Sequence, residues 1–132
     1  MHHYPLTFGF TRPEQNIAIM ELKDLALPDS FKNAPPARLA FVAAGGWGGN
    51  HKHERQEAFV AGSPGLYIVW RDKNGMHQEQ MTAADGTPQV YLVDAWVPHM
   101  VVNKGQQPAV LYEVMSHNDG PATPLEGAES LR

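Results

Sequence analysis

Two histidines and a glutamate in the middle of the chain have the types and the spacing of metal ligands. His51 and His53 are separated by one residue, and Glu57 follows four residues after His53. On a β-strand, residues two apart point to the same face, so both imidazoles could converge on one ion and Glu57 could add a carboxylate oxygen. These ligand types suit Zn, Fe, Mn, Co, Ni or Cu better than Ca or Mg. Taken alone, the histidine pair could equally be two solvated side chains in a glycine-rich loop.

A second segment supplies another imidazole, His99, and an asparagine stands four residues after it. Together the two segments resemble the two motifs of the cupin superfamily. The matching residues are Gly45, His51, His53, Glu57 and Gly62 for the first motif and His99 and Asn103 for the second. The resemblance extends over residues 37–115. Asp94 and Trp96 stand where the second motif usually has proline and glycine, so the turn before His99 is expected to differ.

The resemblance implies a small antiparallel β-barrel, or jelly roll, with one divalent transition metal ion near the middle of its cavity. It assigns the ligands to His51, His53, Glu57 and His99 and leaves the remaining coordination positions to water or substrate. Open positions of this kind are typical of catalytic metal sites. Glu54 directly follows His53 and is a rival carboxylate, which we expect to face solvent.

Residues 49–53 (Gly-Asn-His-Lys-His), followed by residues 57–60, are similar to the sugar-nucleotide branch of the superfamily, although Gly48 stands where that branch has an arginine. This similarity favours a metal-dependent enzyme that isomerises or epimerises a sugar derivative or another small polar molecule. Two alternatives stay open. One is an Fe(II) dioxygenase, because three histidines and one glutamate can hold iron and leave room for dioxygen. The other is a non-catalytic module that binds a small ligand.

Several polar or aromatic residues on the expected strands could line the cavity of such a barrel, because alternate strand residues face its interior. We single out Trp96, Tyr67 and Arg38 as candidate contacts of a substrate. Trp96 stands three residues before His99 and is expected to fill part of the cavity. His77 and His117 have no partner at ligand spacing, so we expect both at the surface.

Short apolar or alternating runs, rich in Val, Ile, Phe and Tyr, predict about eight strands that must position these side chains. The predicted strands are residues 16–22, 37–44, 57–61, 65–72, 76–82, 89–94, 98–103 and 109–115. Turn residues separate them, and the pair Asn74-Gly75 predicts a tight hairpin. The only helical candidate, near residues 20–27, is cut short by Pro28. The pattern therefore predicts an all-β fold with little helix, either a sandwich or a barrel.

The composition limits the domain count and the partners. With 132 residues, the chain has the size of one domain, and we divide it into an N-terminal strand segment (1–36), a barrel core (37–115) and a surface tail (116–132). A net charge of −4 without a basic cluster argues against nucleic acid, and the absence of cysteine excludes disulfides and thiolate ligands. No signal peptide or membrane span is recognised, so we expect a cytoplasmic protein. The expected partner is a small-molecule ligand or substrate. Apolar residues in segment 1–36 favour a homodimer.

Overall fold

Two antiparallel sheets face each other in the computed structural model, which describes residue 1, residues 10–117 and residues 120–132. The strands are β1 (Phe10–Arg12), β2 (Ile17–Glu21), β3 (Ala37–Val42), β4 (Trp47–Lys52), β5 (Glu57–Ala61), β6 (Leu66–Asp72), β7 (Gly75–Gln80), β8 (Val90–Val93), β9 (His99–Asn103), β10 (Ala109–Met115) and β11 (Thr123–Pro124). The only helical segments of the described residues are four 3₁₀ turns, Pro13–Gln15, Leu22–Asp24, Asp29–Phe31 and Gly127–Glu129. The predicted all-β fold with little helix is confirmed.

The strands alternate between the sheets in a jelly-roll order. The six-stranded sheet runs β1-β2-β3-β10-β5-β8, and the five-stranded sheet runs β11-β4-β9-β6-β7. Sequence neighbours such as β4 and β5 therefore belong to opposite sheets, while β3 and β10 pair although almost seventy residues separate them. This arrangement brings β5 and β9, which carry distant parts of the sequence, to face each other across the interior.

Each of the eight predicted runs overlaps a strand, whereas β1, β4 and β11 lie outside those runs. Strand β4 contains two glycines and an asparagine, so it shows no apolar alternation, and its pairing with β9 holds it extended. The predicted hairpin is confirmed between β6 and β7, with Asp72 opposite Gly75. Its two central residues are Lys73 and Asn74, and Gly75 has φ of 114°, in the left-handed region that favours glycine.

The main core lies between the sheets and is built from the inward residues of alternating strands. In β5 every second residue is buried, which is the period expected of a strand with one face inside. The core residues are Ile17, Ile19, Ala40, Val42, Phe59, Ala61, Leu66, Ile68, Met81, Val93, Val101, Ala109 and Leu111. Two of them come from β2, so residues 10–21 extend the six-stranded sheet rather than standing apart from it. Residues 2–9, which include Leu6 and Phe8 of the expected dimer segment, lie outside the described residues.

A second, smaller core lies on the outer face of the five-stranded sheet. There Leu125 and Leu131, 4% and 5% exposed, pack against Val69 and Met100. Residues 120–132 thus cover this face, and we call them the C-terminal segment. Within the predicted surface tail, two leucines are buried. Among the described residues, no helix has the length and apolarity needed to cross a membrane.

Candidate metal centre

A β-bulge at Asn50 determines which residue of β4 faces the interior beside His99. Gly49 pairs with Met100 and His51 pairs with His99, so Asn50 is an extra residue without a partner on β9. Its φ of 60° is left-handed, a conformation that asparagine tolerates better than most residues. In a regular ladder Asn50 would lie opposite His99. The bulge therefore makes His51 and His99 cross-strand neighbours on one face.

Gly49 lets β4 approach β9 closely at this point. A Cβ atom at Gly49 would lie 3.0 Å from the carbonyl oxygen of His99 and 3.1 Å from the Cα of Met100, and its φ is 91°. Both contacts are with backbone atoms that cannot rotate away. Any larger residue at this position would push β4 outward and carry His51 with it.

Three imidazole rings from two parts of the chain meet around one point. The ring centroids of His51, His53 and His99 are 4.9–5.0 Å apart in each pair, with the rings edge to face. Glu57, at the start of β5, adds its carboxylate: Oε2 is 3.0 Å from His53 Nε2 and 3.1 Å from His99 Nε2. One ligand atom from each of the four residues lies within 4.8 Å of the others. The structure thus brings together all four predicted ligands.

Backbone carbonyls fix the orientation of two of these rings. His53 Nδ1 is 2.9 Å from the carbonyl oxygen of Arg55, and His99 Nδ1 is 2.8 Å from that of Val97. Because a carbonyl oxygen only accepts, each Nδ1 must carry the hydrogen, which leaves the lone pair of each neutral ring on Nε2. When the rings are neutral, both Nε2 atoms point a lone pair towards the Glu57 carboxylate; His99 Nε2, 3.1 Å from Oε2, can donate to it only when the ring is protonated. His53 Nε2 is buried and, although near this oxygen, has no aligned hydrogen-bond partner in the part of the chain that the structure describes.

Lone pairs that face a carboxylate at 3.0–3.1 Å repel each other unless a positive charge lies between them. A proton can relieve only one such pair at a time, whereas a metal ion can accept all the lone pairs together. Neighbouring ligands on an ion at about 2.1 Å and at right angles are about 3.0 Å apart, which matches these separations. The donor set of three imidazoles and one carboxylate therefore fits a divalent transition metal ion.

The carboxylate of Glu57 is held ionised inside the barrel. Its other oxygen, Oε1, accepts a hydrogen bond of 3.0 Å from Nε of Arg55. Burial alone would raise the pKa of the Glu57 carboxyl, but without a metal ion the hydrogen bonds and positive charge that His53 and His99 supply when protonated at Nε2 outweigh burial and hold it below its ordinary value. Burial lowers the pKa of His51 to about 3, with the neighbouring His99 adding to the effect. At neutral pH His51 is therefore uncharged, as a metal ligand must be.

A cavity of about 630 Å³ opens beside the cluster. His51 and His99 form part of its wall, the β2 and β3 side of the six-stranded sheet forms another part, and residues 120–126 of the C-terminal segment lie at its edge. Glu113 of β10 also lines it, and burial together with the nearby Glu57 charge raises the pKa of Glu113 to about 8. The volume is that of a pocket for one small molecule.

The candidate substrate contacts occupy different places. Arg38 lines the cavity, where its Nε donates to Glu21 at 2.9 Å. Tyr67 is not among the lining residues, and the ammonium group of Lys104 lies 5.2 Å from its ring centre. Trp96 is 56% exposed, has a left-handed φ of 66° and does not line the cavity. The backbone N–H of Trp96 donates to the carbonyl oxygen of His53 at 2.7 Å.

The histidines and the glutamate that we expected outside the site are separate from it. Glu54 is exposed, and its carboxylate lies near Gly120. His77 stacks on Trp70 and bonds to Asp72 at 2.8 Å, on β7. His117 has intermediate exposure. None of these three belongs to the four-residue cluster.

Three residues around the site escaped sequence reasoning: Asn50, Arg55 and Glu113. Arg55 stands between His53 and Glu57 and could have been recognised as a counter-ion of Glu57. Glu113 is two residues from both Leu111 and Met115 on β10, so a period of two would have placed it on the same inner face as these buried residues. Asn50 gave no signal of its bulge. Asn103 of the second motif serves the turn after β9, since its Nδ2 donates to the carbonyl oxygens of Val42 and Gln107 at 2.9 and 2.8 Å.

No protein-family model and no curated protein sequence matches the chain. Solved structures do match its fold. The capsular polysaccharide assembling protein CapF from Staphylococcus aureus superposes with a TM-score of 0.72 at 20% identity, over 95% of this chain and 35% of CapF. An oxalate oxidase gives 0.68 at 14% identity, over 89% of this chain and 59% of the oxidase. Rru_A2000 from Rhodospirillum rubrum, a cupin-2 domain, gives 0.69 at 10% identity, over 96% of this chain and 78% of that protein.

The chain spans about a third of the length of CapF and about three fifths of that of the oxalate oxidase. At these identities the superpositions concern the backbone alone. The jelly-roll order of the sheets and the superpositions over nine tenths of the chain agree on one architecture. The chain has the fold of the cupin superfamily.

Proposed function

We propose that the chain is a metal-dependent cupin that acts on a small polar molecule. One observation carries the proposal: the Nε2 atoms of His53 and His99, whose rings are oriented by backbone carbonyls, both lie 3.0–3.1 Å from one buried carboxylate oxygen of Glu57. His51, His53, Glu57 and His99 would hold one divalent transition metal ion. Bound there, the ion would supply Lewis-acid polarisation of a carbonyl or hydroxyl oxygen.

Residues of the cavity wall support a polar substrate that carries hydroxyl groups. Gln15 lines the cavity, and its Oε1 is buried and has no hydrogen-bond partner among the described residues. A buried acceptor of this kind is costly unless a ligand donates to it. The Glu113 carboxyl lines the same cavity and could exchange a proton with a bound molecule. Apolar side chains, among them Phe59, Val101 and Leu111, complete the wall and limit the access of water.

Within this class, the activity we propose is isomerisation or epimerisation of a sugar derivative. The chemistry requires a polarised carbonyl and one proton that moves between neighbouring atoms of the substrate. An ion held by the four-residue cluster would polarise the carbonyl, and Glu113 on an adjacent wall would carry the proton. The fold of CapF, described as a capsular polysaccharide assembling protein, is consistent with a sugar substrate. A cytoplasmic location accords with this chemistry and is part of the proposal.

The test begins with protein purified without metal-affinity resin. Elemental analysis is expected to find one divalent transition metal ion per chain, and metal-depleted protein is expected to take up Zn, Mn, Ni, Co, Cu or Fe(II) at one site. Incubation with aldose and ketose derivatives in deuterated water should then incorporate deuterium next to the carbonyl carbon. Oxygen consumption with Fe(II) would favour a dioxygenase, and ligand binding without turnover would favour the binding module. Failure to bind any of these metals would contradict the proposal as a whole.

We also propose a homodimer, supported by the outer face of the six-stranded sheet. Val90 and Leu92 on the edge strand β8 are 70% and 65% exposed, and Tyr112 and Val114 on β10 are 51% and 45% exposed. Strand registers align them in two rows across β8, β5 and β10, Val90–Val60–Tyr112 and Leu92–Ala58–Val114. A continuous apolar patch without a charged residue in either row is typical of a protein interface. Strand β2 of segment 1–36 belongs to the same sheet.

A further inference from the structure

Two guanidinium groups line the cavity, and within residues 10–117 and 120–132 each makes a side-chain hydrogen bond only through Nε. Arg55 is 6% exposed, and the one hydrogen bond that its side chain makes within the described residues runs from Nε to Glu57 Oε1 at 3.0 Å. Arg38 likewise donates from Nε, to Glu21 Oε1 at 2.9 Å, and its Nη1 is 3.9 Å from Glu113, beyond hydrogen-bond distance. The Nη1 and Nη2 atoms of both residues therefore have donors to spare.

The Nε anchors fix the direction in which these donors point. A guanidinium group is planar and its five N–H bonds form a rigid fork, so a bond at Nε leaves the Nη edge oriented by the side chain rather than free to rotate. Both side chains are lining residues of the cavity that also exposes His51 and His99. Among the buried side-chain atoms of the described residues, only Gln15 Oε1 and His53 Nε2 lack a partner, so solvent reaches the outer arginine nitrogens, and a ligand with two oxygen atoms can replace that water.

A divalent ion would give the wall a charge that favours an anion. Three arginines line the cavity, with Arg12 the third, and four glutamates balance them: Glu113 and Glu126 in the lining, and Glu21 and Glu57 bonded to Arg38 and Arg55. A divalent ion held with Glu57 would make the sum of these charges positive. Carboxylate and phosphate groups match the arginine fork, because two of their oxygens accept parallel hydrogen bonds.

We propose that the molecule bound in this cavity carries a carboxylate or phosphate group, which the outer nitrogens of Arg38 and Arg55 hold beside the metal centre. This inference deepens the proposed function and rests on its assignment of the cavity to a substrate. It narrows the small polar molecule to an acidic one, such as a sugar acid or a sugar phosphate. In this arrangement Arg38 would hold the anionic group in place, and the metal ion would contact the rest of the bound molecule.

The test compares an anion with its neutral counterpart. Malonate, malonamide and inorganic phosphate are titrated into zinc-loaded and metal-depleted protein by calorimetry, while the Nε–H signals of the arginines are followed by NMR. We expect malonate or phosphate to bind at least about tenfold more tightly than malonamide in both forms and to shift the signals of Arg38 and Arg55. A preference for phosphate over malonate, or the reverse, identifies which anion the site takes.

Arg38→Met is the decisive variant, because Glu21 keeps a partner in Lys23 at 3.0 Å, and Glu113 loses only a guanidinium nitrogen 3.9 Å away, beyond hydrogen-bond distance. We expect it to lower anion affinity at least about tenfold, to leave malonamide binding unchanged and to keep its zinc content. Lys73→Met removes one exposed positive charge from the β6–β7 turn and is the matched control, with anion affinity unchanged. Equal anion affinity in Arg38→Met and wild type, or equal affinity for malonate and malonamide with no phosphate binding, would overturn the inference. Failure of the protein to bind zinc would contradict the proposed function alone, because the titrations of metal-depleted protein still test whether the arginines bind an anion.

Discussion

Replacing His99 by alanine removes the only candidate ligand that β9 contributes, and the loss can be expressed as a change in metal-induced stabilisation. Structural zinc sites with four ligands bind with about 10–16 kcal/mol, or about 3 kcal/mol per ligand. Losing one ligand should therefore weaken binding by about 100-fold, since about 1.4 kcal/mol corresponds to a factor of ten. His99 is 1% exposed, so the variant also loses packing, and the comparison must be made within each protein, with and without metal.

At a free zinc concentration of about 100 times the wild-type Kd, binding stabilises the folded state by about 2.7 kcal/mol. For a chain of 132 residues this is a rise in Tm of about 10 °C. In His99→Ala the same zinc concentration only equals the weakened Kd, so the stabilisation falls to about 0.4 kcal/mol and the rise in Tm to about 1–2 °C. Differential scanning calorimetry of metal-depleted protein with and without zinc measures both values.

His77→Ala is the control, because His77 stacks on Trp70 and bonds to Asp72 away from the cluster. It should show the full zinc-induced rise in Tm. The reasoning is refuted if His99→Ala keeps the full rise, and equally if His77→Ala loses it, because the metal would then be bound by other residues.

Three further predictions concern the bulge, the outer sheet face and acid stability. Asn50→Ala should lower the free energy of unfolding by about 2–4 kcal/mol in urea titrations, because it loses the side-chain hydrogen bonds to the C-terminal segment and places alanine at positive φ. Asn50→Gly avoids the backbone strain and should lower the free energy of unfolding by less. Leu92→Glu should convert a dimer into a monomer in sedimentation, while Gln106→Glu, on an exposed turn, should not; a wild-type monomer at micromolar concentration would contradict the dimer. In metal-free protein the folded-state pKa of His51, about 3, lies below its unfolded value of 6.5, so the stability that neutral His51 contributes is present above pH 6.5 and is lost as the pH falls towards 3. His51→Gln should make urea unfolding less dependent on pH in that range, and an unchanged dependence would disprove the assignment.

Alternation and turn residues were sufficient to predict most of the fold. The runs that became β3, β5, β6 and β10 bury one face and carry Val, Ile, Leu and Phe at a period of two, so their pattern is legible without knowledge of their partners. Strand β4 was missed because Gly48 and Gly49 contribute no side chain, and it is extended only through its long-range pairing with β9. The packing of Leu125 and Leu131 was missed for a similar reason, since two isolated leucines in a polar segment have no period.

The four-residue cluster was predicted from spacing and from a family resemblance, and the structure shows how distant segments meet there. What the sequence could not predict is the bulge that turns His51 towards His99, or the carbonyls that orient the rings of His53 and His99. Both depend on backbone geometry that no residue type dictates. Trp96 illustrates the same limit, because a left-handed φ turns an aromatic residue near the site outwards.

Hydrogen bonds of Asn50 couple the local unfolding of the C-terminal segment to that of strand β4. Its backbone carbonyl accepts the N–H of Leu125 at 2.9 Å, and its Oδ1 accepts the N–H of Leu131 at 2.8 Å, while the next residue, His51, belongs to the candidate metal cluster. Any fluctuation that detaches the C-terminal segment must therefore break bonds to the residue that sets the position of His51. Occupancy of the cluster would restrain that fluctuation and slow amide hydrogen exchange at Leu125 and Leu131, although neither residue touches the ion. These two amides would thus act as distant reporters of whether the centre is filled.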